Sequence, residues 1–494
     1  MLHYSIQDNR PANDRQEPWT CYNKYSKCAP RSLPSGFKET KLPENPKENI
    51  IEKALDAPSD ALFKTIHAAK EPLKKAGQYW EDLGPGLTTG AADDDPSGIA
   101  TYSQTGAQTS FKLLWIAAFS FPLMAIIQEM CARIGLVTGR GLAGNIRLHY
   151  SKKLLYLCVA LLFIANTFNI GADLGAMAKA TQLLNPSLNF YAMVIIFGFG
   201  SLVLQIFTSY GQYARYLKWL ALILFSYVLA AFFVHMDGKQ LIISAIIPHL
   251  SFNRNEIFLL CAILGTTISP YLFFWQTSQE VEEQILGGRT SIKLRKSQVT
   301  DGEIKKMRID VWSGMFFSNL VMFFIIVMCA TTLYAHGVTN IESAADAAAA
   351  LKPIAGQYAF LLFAVGIIGT GLLAVPVLAG STAYAMAEAA GWKQGLYRKL
   401  KAAGSFYGVI IISMILGMLM NFNLIDPIKA LIYSAVLNGL VAPIILILIV
   451  QISGNKKVMG SKANGKFIHS LGWIITIIMT LVAVATVAIL IVPK

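Results

Sequence analysis

Long apolar segments, each of about twenty residues or more, fill most of this chain after residue 80. The bilayer core offers no water to a free peptide group, so only helices and closed barrels can cross it. A barrel strand needs only about 9–11 residues, whereas these segments have the length of membrane helices. Charged residues make up 14% of the chain, against about a quarter in soluble domains. The sequence therefore predicts an all-α polytopic membrane protein.

Hydropathy predicts eleven transmembrane helices. Their spans are 84–108, 112–135, 153–182, 190–208, 215–236, 254–284, 309–334, 357–387, 404–423, 428–452 and 468–492. Residues 1–80 are polar and contain several prolines, so we predict a cytoplasmic N-terminal region that is partly disordered. Within it, the stretch 49–75 allows short amphipathic helices on the membrane surface, although a solvated tail is the favoured interpretation.

The formal net charge of +13 comes mostly from short loops. The loops after the second, fourth, sixth, eighth and tenth segments are basic, and the alternate loops are neutral, mixed or acidic. Basic loops mark the cytoplasmic side of a membrane protein. We therefore predict a multi-pass protein of the plasma (inner) membrane with a cytoplasmic N-terminus and an extracellular C-terminus. The bilayer rather than a nucleic acid is the expected partner, and we expect a monomer.

Three consecutive aspartates, Asp93, Asp94 and Asp95, lie in the middle of the first apolar segment. Each costs several kcal/mol in hydrocarbon unless it is neutralised or reached by water. Pro96 and Gly98 follow, and neither favours an uninterrupted helix. We predict a broken membrane helix whose gap faces a cavity, where carboxylates and free carbonyl groups can hold a cation.

The sixth segment carries a matching interruption, a short polar run followed by Pro270. The two interrupted segments are five helices apart, so the two halves of the chain enter the membrane with opposite polarity. Matching breaks in such halves are typical of an inverted-repeat transporter. We predict a first repeat over 84–236, a second over 254–452, and an eleventh helix with the extracellular C-terminus over 468–494.

Asp95 is the first candidate for a metal ligand because it directly precedes Pro96, where helical hydrogen bonding fails. Mg²⁺, Mn²⁺ and Ca²⁺ seek carboxylate and carbonyl oxygen. Pro270 likewise frees the carbonyl of Thr266, and the Ser269 hydroxyl is a further candidate ligand. Two structural alternatives stay open. Asp95 could serve only as a helix N-cap, and the hydroxyl groups could bond back to their own helix.

Gly98 and Asp94 complete the candidate metal site, and other polar residues in the apolar segments, Asp93 and Tyr271 among them, are candidates for a permeation path. Asp93 and Asp94 point in different directions on a helical turn, so one can line the entrance while the other is protonated or pairs with a base. Asn166, Asn169 and Asp173 fall on one face of the third segment. They either line a water path or only join helices by hydrogen bonds.

Two further acidic groups have structural interpretations. Glu129 and Arg133 are four residues apart on one helix, which predicts an ion pair. Glu280, Glu282 and Glu283 lie near the predicted cytoplasmic end of the sixth segment, and we interpret them as a wetted helix end.

Four motifs stand out in the first third of the chain. They are Gly84-Pro85-Gly86, Asp95-Pro96-Ser97-Gly98, Leu113-Leu114-Trp115 and the run ARIGLVTGRGLA at 132–143. Together they resemble the start of the NRAMP family of divalent-metal transporters, and the likeness extends to the eleventh helix. The resemblance implies a LeuT-type 5+5 inverted repeat and a metal site between the broken helices one and six.

The chain departs from the usual pattern of that family. Helix one of the family usually has Asn where this chain has Gly98, and helix six has Met and His where it has Ser269 and Tyr271. A thioether favours transition metals, whereas a roomier site lined by oxygen suits Mg²⁺, which keeps several waters. The acidic residue expected three positions after Asp173 is Ala176, and the basic residues expected in helix nine are absent. This pattern resembles the NRAMP-related magnesium transporter branch.

The leading hypothesis is a carrier that imports Mg²⁺, with Mn²⁺ as a second substrate, by alternating access and without proton coupling. The alternative is a proton-coupled Mn²⁺/Fe²⁺ symporter whose relay uses Asp93, Asp94 or Asp173. A third is an anion or small-solute carrier, coupled or not to a cation, since half-helix N-termini attract negative charge. A fourth is a metal sensor that transports nothing. The sequence shows neither a nucleophile–base pairing nor a phosphate-binding loop, so we predict neither an enzyme nor a cofactor.

Overall fold

The computed structural model describes residues 83–208, 228, 238–341, 343–351, 356–422 and 426–491. Within these ranges the regular structure is entirely helical. The α-helices are α1 (Pro85–Asp93), α2 (Pro96–Thr109), α3 (Trp115–Thr138), α4 (Leu142–His149), α5 (Lys152–Leu184), α6 (Phe190–Phe207), α7 (Gly238–Ile246), α8 (Arg254–Thr267), α9 (Pro270–Leu286), α10 (Ile292–Ser297), α11 (Asp301–Thr332), α12 (Ala344–Ala349), α13 (Ala359–Ala390), α14 (Gly404–Met420), α15 (Pro427–Gly454), α16 (Lys456–Met459) and α17 (Lys466–Ile491).

Eight helices of the described part are long and apolar enough to cross a membrane, with α8 and α9 taken as one. The helix α14 is apolar but shorter, at 17 residues. The predicted fifth span, 215–236, lies outside the described residues apart from residue 228. The other predicted spans each coincide with a described helix or with one of the pairs α1–α2 and α8–α9. The all-α prediction is therefore confirmed.

The first interruption separates α1 from α2 by Asp94 and Asp95. Asp94 has φ −87° and ψ 48°, and Asp95 is extended with φ −65° and ψ 171°. The extended conformation is expected because the ring of Pro96 disfavours helical backbone at the preceding residue. Pro96 itself is the first residue of α2, where its missing N–H removes no helical hydrogen bond.

The second interruption repeats this backbone between α8 and α9. Ile268 has φ −113° and ψ 57°, Ser269 is extended with φ −83° and ψ 136°, and Pro270 begins α9. Both predicted breaks are therefore present, and each is a link of one bent and one extended residue before a proline.

The helix α11 fixes the first half of the first broken helix. A Cβ added at Gly90 of α1 would lie 2.3 Å from the carbonyl oxygen of Gly314 in α11, so the two backbones touch there and only glycine fits. At the start of α1, the carboxylate of Asp310 in α11 accepts hydrogen bonds from the N–H groups of Gly84 and Gly86, each at 2.7 Å. These N–H groups have no partner within their own helix. A carboxylate at this end also complements the helix dipole.

The remaining helices close around the two breaks. The long helix α5 packs along α13 and α15, while α15 also contacts α8 and α2. The second half-helix α9 lies against α3 and α13. As a result, the interruptions lie in the interior of the bundle, and Asp93, Asp94 and Asp95 have no exposed surface.

Candidate functional site

The two interruptions are joined by hydrogen bonds that run from the second to the first. The Tyr271 hydroxyl of α9 donates to the carbonyl oxygen of Ala92 at 2.8 Å, and the Thr266 hydroxyl of α8 lies 3.5 Å from the carbonyl oxygen of Asp93. The last carbonyl groups of a helix have no partner within it. The second broken helix therefore supplies donors to the C-terminal end of α1.

Asp95 occupies the centre of this arrangement. Its Oδ1 accepts hydrogen bonds from the N–H of Gly98 at 2.7 Å and from the Ser97 hydroxyl at 2.6 Å. Its Oδ2 accepts one from Asn169 of α5 at 2.9 Å, and the Asn169 Oδ1 in turn accepts one from the Ser434 hydroxyl of α15 at 2.8 Å. A carboxylate has about four acceptor positions. Asp95 is thus an N-cap whose Oδ2 keeps the capacity to bind a cation.

The carboxylates of Asp93 and Asp94 are less satisfied. The Oδ2 of Asp93 accepts a hydrogen bond from the Ser318 hydroxyl of α11 at 2.7 Å. The other oxygen of Asp93 and both oxygens of Asp94 are buried without a hydrogen-bond partner in the described part of the chain. The ion pairs among the described residues lie elsewhere. Buried carboxylates without a basic partner are stable only with a proton or a cation.

The second interruption presents oxygen atoms without charge. The Ser269 hydroxyl donates towards the carbonyl oxygens of Gly265 and Thr266, each at 2.6 Å. These are the carbonyl groups that the break leaves without a helical donor. Ser269 therefore bonds back to its own helix, while its oxygen and the second lone pair of the Thr266 carbonyl remain available as acceptors.

Gly98 lies where the two broken helices approach most closely. A Cβ built at this position would lie 3.1 Å from the Asp93 carbonyl oxygen and 3.1 Å from the Thr266 hydroxyl. Such contacts are tighter than nearly all that real Cβ atoms make. Because Gly98 has no side chain, it offers no side-chain ligand. The Asp93 carbonyl oxygen and the Thr266 hydroxyl can therefore both lie close to its backbone.

A cation between the breaks would have few protein side chains as ligands. Within the described ranges, histidine, cysteine and carboxylate side chains do not gather in threes with metal-binding geometry. The available donors are the Asp95 carboxylate, carbonyl groups and hydroxyls. Hard divalent cations accept such oxygen ligands and can keep bound water in the remaining positions.

A comparison with protein-family models identifies the family. Residues 86–489 match the model described as "Natural resistance-associated macrophage protein-like". The chain belongs to the NRAMP family. Among curated relatives, the divalent metal cation transporter MntH of Yersinia enterocolitica is 26% identical over 409 residues, which are 80% of this chain and 92% of the relative. The protein of the same name from Klebsiella pneumoniae is 25% identical over 407 residues, which are 80% of this chain and 91% of the relative.

Solved structures show the fold of this NRAMP chain. The manganese transporter of Eremococcus coleocola superposes with a TM-score of 0.64 at 18% identity, over 83% of this chain and 87% of that structure. Mhp1, a nucleobase-cation-symport-1 family transporter, superposes with a TM-score of 0.53 at 12% identity, over 82% and 91% of the two chains. The predicted LeuT-type architecture with broken helices one and six is therefore confirmed.

The three polar residues predicted on one face of α5 have different surroundings. Asn169 donates a hydrogen bond to the Asp95 carboxylate at the first break. Asn166 instead donates to the Leu378 carbonyl and to the hydroxyls of Ser381 and Thr382, all in α13, so it joins two helices. Asp173 is buried, and both of its oxygens lack a hydrogen-bond partner within the described residues.

Three residues that support the site did not emerge from the sequence. Ser434 orients Asn169, Ser318 contacts Asp93, and Asp310 caps α1. Ser318 and its polar neighbour Asn319 interrupt an apolar segment, which was the signal available for that helix. Ser434 and Asp310 are likewise polar residues in predicted spans, but hundreds of residues separate each of them from its partner, so the contact itself could not be predicted.

The prediction of a wetted helix end is confirmed at Glu283, which is exposed, and is wrong at Glu280 and Glu282. Both side chains are buried, because α9 is packed between α3 and α13. Glu280 accepts a hydrogen bond from the Gln276 side chain at 2.9 Å, and Glu282 accepts one from the Tyr384 hydroxyl at 2.6 Å. The predicted Glu129–Arg133 ion pair is confirmed, with 2.5 Å between the charged atoms.

Proposed function

We propose that this chain transports divalent metal ions across a membrane by alternating access around the two helix breaks. The observation that carries the proposal is the group of three consecutive aspartates, fully buried at the first break and without a basic partner among the described residues. Leaving a charge buried and uncompensated costs several kcal/mol. A divalent cation between the breaks would compensate that charge, and Asp95 is the ligand best placed to hold it.

The curated relatives are named divalent metal cation transporters and the solved structural neighbour is a manganese transporter, which together support Mn²⁺ as the transported ion. They support the proton-coupled Mn²⁺/Fe²⁺ alternative better than the magnesium hypothesis. The buried and unpartnered oxygens of Asp94 and Asp173 are positions where a proton could be carried together with the metal. Mn²⁺ import coupled to protons is therefore the first candidate function.

Magnesium transport without proton coupling is the second candidate, because the donor set favours it. Ser269 and Gly98 leave the site without a thioether or a side-chain amide at these positions, and soft ligands are what select transition metals. At the position where the family usually has His, the Tyr271 hydroxyl donates a hydrogen bond to the Ala92 carbonyl oxygen. An oxygen-only site that keeps water on the ion suits Mg²⁺.

The deciding experiment is ion uptake into proteoliposomes, with Mn²⁺ and Mg²⁺ supplied separately and the internal pH followed by a trapped dye. The test variant is Asp95→Asn. Asp426→Asn is the matched control, because Asp426 also precedes a proline and caps a helix, α15, but is not fully buried. The proposal predicts uptake that Asp95→Asn abolishes and Asp426→Asn preserves.

The outcomes separate the two candidates. Mn²⁺ entry with internal acidification supports the symporter, and Mg²⁺ entry at constant pH supports the uncoupled carrier. If neither ion enters through correctly folded protein, divalent metal transport is rejected. Equal loss in the two variants would reject Asp95 as the ligand.

The charge pattern supports an orientation with the N-terminus in the cytoplasm. Three of the basic loops, which follow α3, α9 and α13, meet around one cavity at a single end of the bundle. Cysteine labelling from each side of sealed vesicles at an exposed position such as Lys393 tests this proposal. Labelling from the extracellular side would overturn it.

A further inference from the structure

A cavity lies at the end of the bundle that the charge pattern assigns to the cytoplasm. Its volume is about 690 Å³, and it is distinct from the helix breaks. The walls come from the loop after α3 together with α4, from α9, from the segment leading into α10, and from the end of α13 with the loop that follows. Ligand pockets for small molecules typically measure about 300–1,000 Å³.

The lining of this cavity is strongly basic. Five basic and two acidic side chains line it, which gives a formal excess of three positive charges. The basic residues are Arg140, Arg147, Arg295, Lys393 and Arg398. The ion pairs within the described residues involve none of these five. Glu388 and Glu282 lie close enough to interact electrostatically with Arg140 and Arg295, but two acidic groups leave a formal excess of positive charge in the cavity.

The two acidic residues, Glu282 and Glu388, serve to anchor the walls. Glu282 accepts hydrogen bonds from the Tyr384 hydroxyl and from the Leu396 N–H, at 2.6 and 3.0 Å. Glu388 accepts hydrogen bonds from the N–H groups of Gly141 and Gly144, each at 2.8 Å, at the start of α4. Their acceptor capacity is thus largely used by backbone and hydroxyl groups rather than by the arginines.

Several cationic groups keep free donors. The side chains of Arg140 and Lys393 donate no hydrogen bond within the described part of the chain, and Arg147 is exposed with one long contact of 3.3 Å to the Glu388 carbonyl. A guanidinium presents a planar fork of donors that matches phosphate oxygens, and a lysine adds a point charge. Trp392, which is 45% exposed, adds an aromatic surface at the rim.

We propose that this cavity binds a phosphate-bearing anion, held by Arg140, Arg147 and Lys393. Solvated basic loops would account for the charge alone. They do not account for cations from the loop after α3, from α4 and from the loop after α13 that line one concave space of ligand size and form no ion pair among the described residues. The phosphate can belong to a soluble compound or to a lipid headgroup, since both present the same oxygens to the guanidinium groups.

The test is equilibrium binding to the full-length protein in phosphatidylcholine nanodiscs. The soluble probes are inorganic phosphate and ATP without added metal, and the lipid probe is phosphatidic acid incorporated into the nanodisc. The test variant carries Arg140→Gln and Lys393→Gln together. The matched control carries Lys152→Gln and Lys153→Gln, which remove the same charge from exposed positions at the start of α5 and outside the cavity.

The proposal predicts saturable binding of at least one probe, weakened about tenfold or more in the test variant and unchanged in the control. Binding of phosphate or ATP identifies a soluble ligand, and binding of phosphatidic acid alone identifies a lipid.

Lys393→Gln by itself, at an exposed position, provides a milder variant if the double variant is unstable. No saturable binding of any probe, or equal weakening in both double variants, would overturn the proposal. These readouts need no metal transport, so their failure is separate from failure of the proposed transport function.

Discussion

The two broken helices share one backbone geometry and differ in the side chain before the proline. At the first break, the Asp95 carboxylate accepts a hydrogen bond from the N–H of Gly98, in the helix that follows the break. At the second break, the Ser269 hydroxyl donates hydrogen bonds to carbonyl groups of the helix that precedes the break. The first break therefore carries charge, and the second carries neutral oxygen.

This difference assigns separate roles to the two breaks. Under the proposed function, the charge of a bound cation would be compensated at the first break, where three carboxylates are buried. The second break donates hydrogen bonds to the first and would complete the surroundings of the ion with neutral oxygen atoms. Substitutions at the first break should therefore change the strength of ion binding, and substitutions at the second should change mainly its selectivity.

The largest effect is expected for Asp95→Asn. The amide keeps an acceptor for the Gly98 N–H, so the helix cap survives while the charge is lost. The loss of a residue that only orients a metal ligand lowers metal affinity by about 10- to 100-fold. Because Asp95→Asn alters the ligand itself, we expect a larger fall in affinity. Titration calorimetry with Mn²⁺ and with Mg²⁺ measures this. An affinity within error of the unmodified protein would contradict the assignment.

The next effect is expected for Asn169→Ala, which removes the donor to the Asp95 Oδ2 and breaks the link to Ser434. We expect metal affinity to fall by about 10- to 100-fold, as for other residues that orient a ligand. Asn166→Ala is the matched control on the same helix, because Asn166 bonds to α13 instead. Equal losses of affinity in the two variants would show that α5 packing, rather than orientation of Asp95, is responsible.

A smaller change, in selectivity, is expected at the second break. Ser269→Met places a thioether beside the site and should raise the preference for Cd²⁺ over Mg²⁺ by about tenfold. Ser269→Ala should leave the preference unchanged and lower stability by about 1 kcal/mol, since only the bonds to the preceding helix are lost. Competition between the two ions in the uptake assay measures the preference. An unchanged preference in Ser269→Met would place this residue away from the ion.

The smallest effect on ion binding is expected for Tyr271→Phe. This change leaves the buried carbonyl of Ala92 without its donor, which costs about 1–3 kcal/mol in the free energy of unfolding. Tyr102→Phe is the matched control, because the buried Tyr102 hydroxyl has no hydrogen-bond partner in the described part of the chain. Denaturant unfolding compares the two variants. Equal stability of both would mean that the bond to Ala92 contributes little.

The sequence predicted the features that local backbone chemistry determines. An aspartate and a serine each before a proline, inside apolar segments, predicted both breaks and the capping position of Asp95. The spans followed from hydropathy, because a bilayer requires segments of a fixed length. The resemblance in the first third of the chain predicted the family, which the comparison over residues 86–489 confirmed.

Features that depend on packing between distant segments could not be predicted. Ser434 and Asn169 are 265 positions apart, and nothing in the periodicity of either helix predicts that they meet. The sequence left open whether the Ser269 hydroxyl bonds back to its own helix, and the structure shows that it does. The burial of Glu282 likewise depends on the loop after α13, whose residue Leu396 donates an N–H to its carboxylate.

The most direct test of the central claim is the position of bound Mn²⁺, found by anomalous diffraction from crystals of the unmodified protein and of Asp95→Asn. The account predicts an anomalous peak between the two breaks in the unmodified protein, within coordination distance of the Asp95 carboxylate and beside the Thr266 carbonyl. The peak should be absent in Asp95→Asn. A peak away from Asp95, or one that persists unchanged in the variant, would contradict the claim that the first break holds the ion.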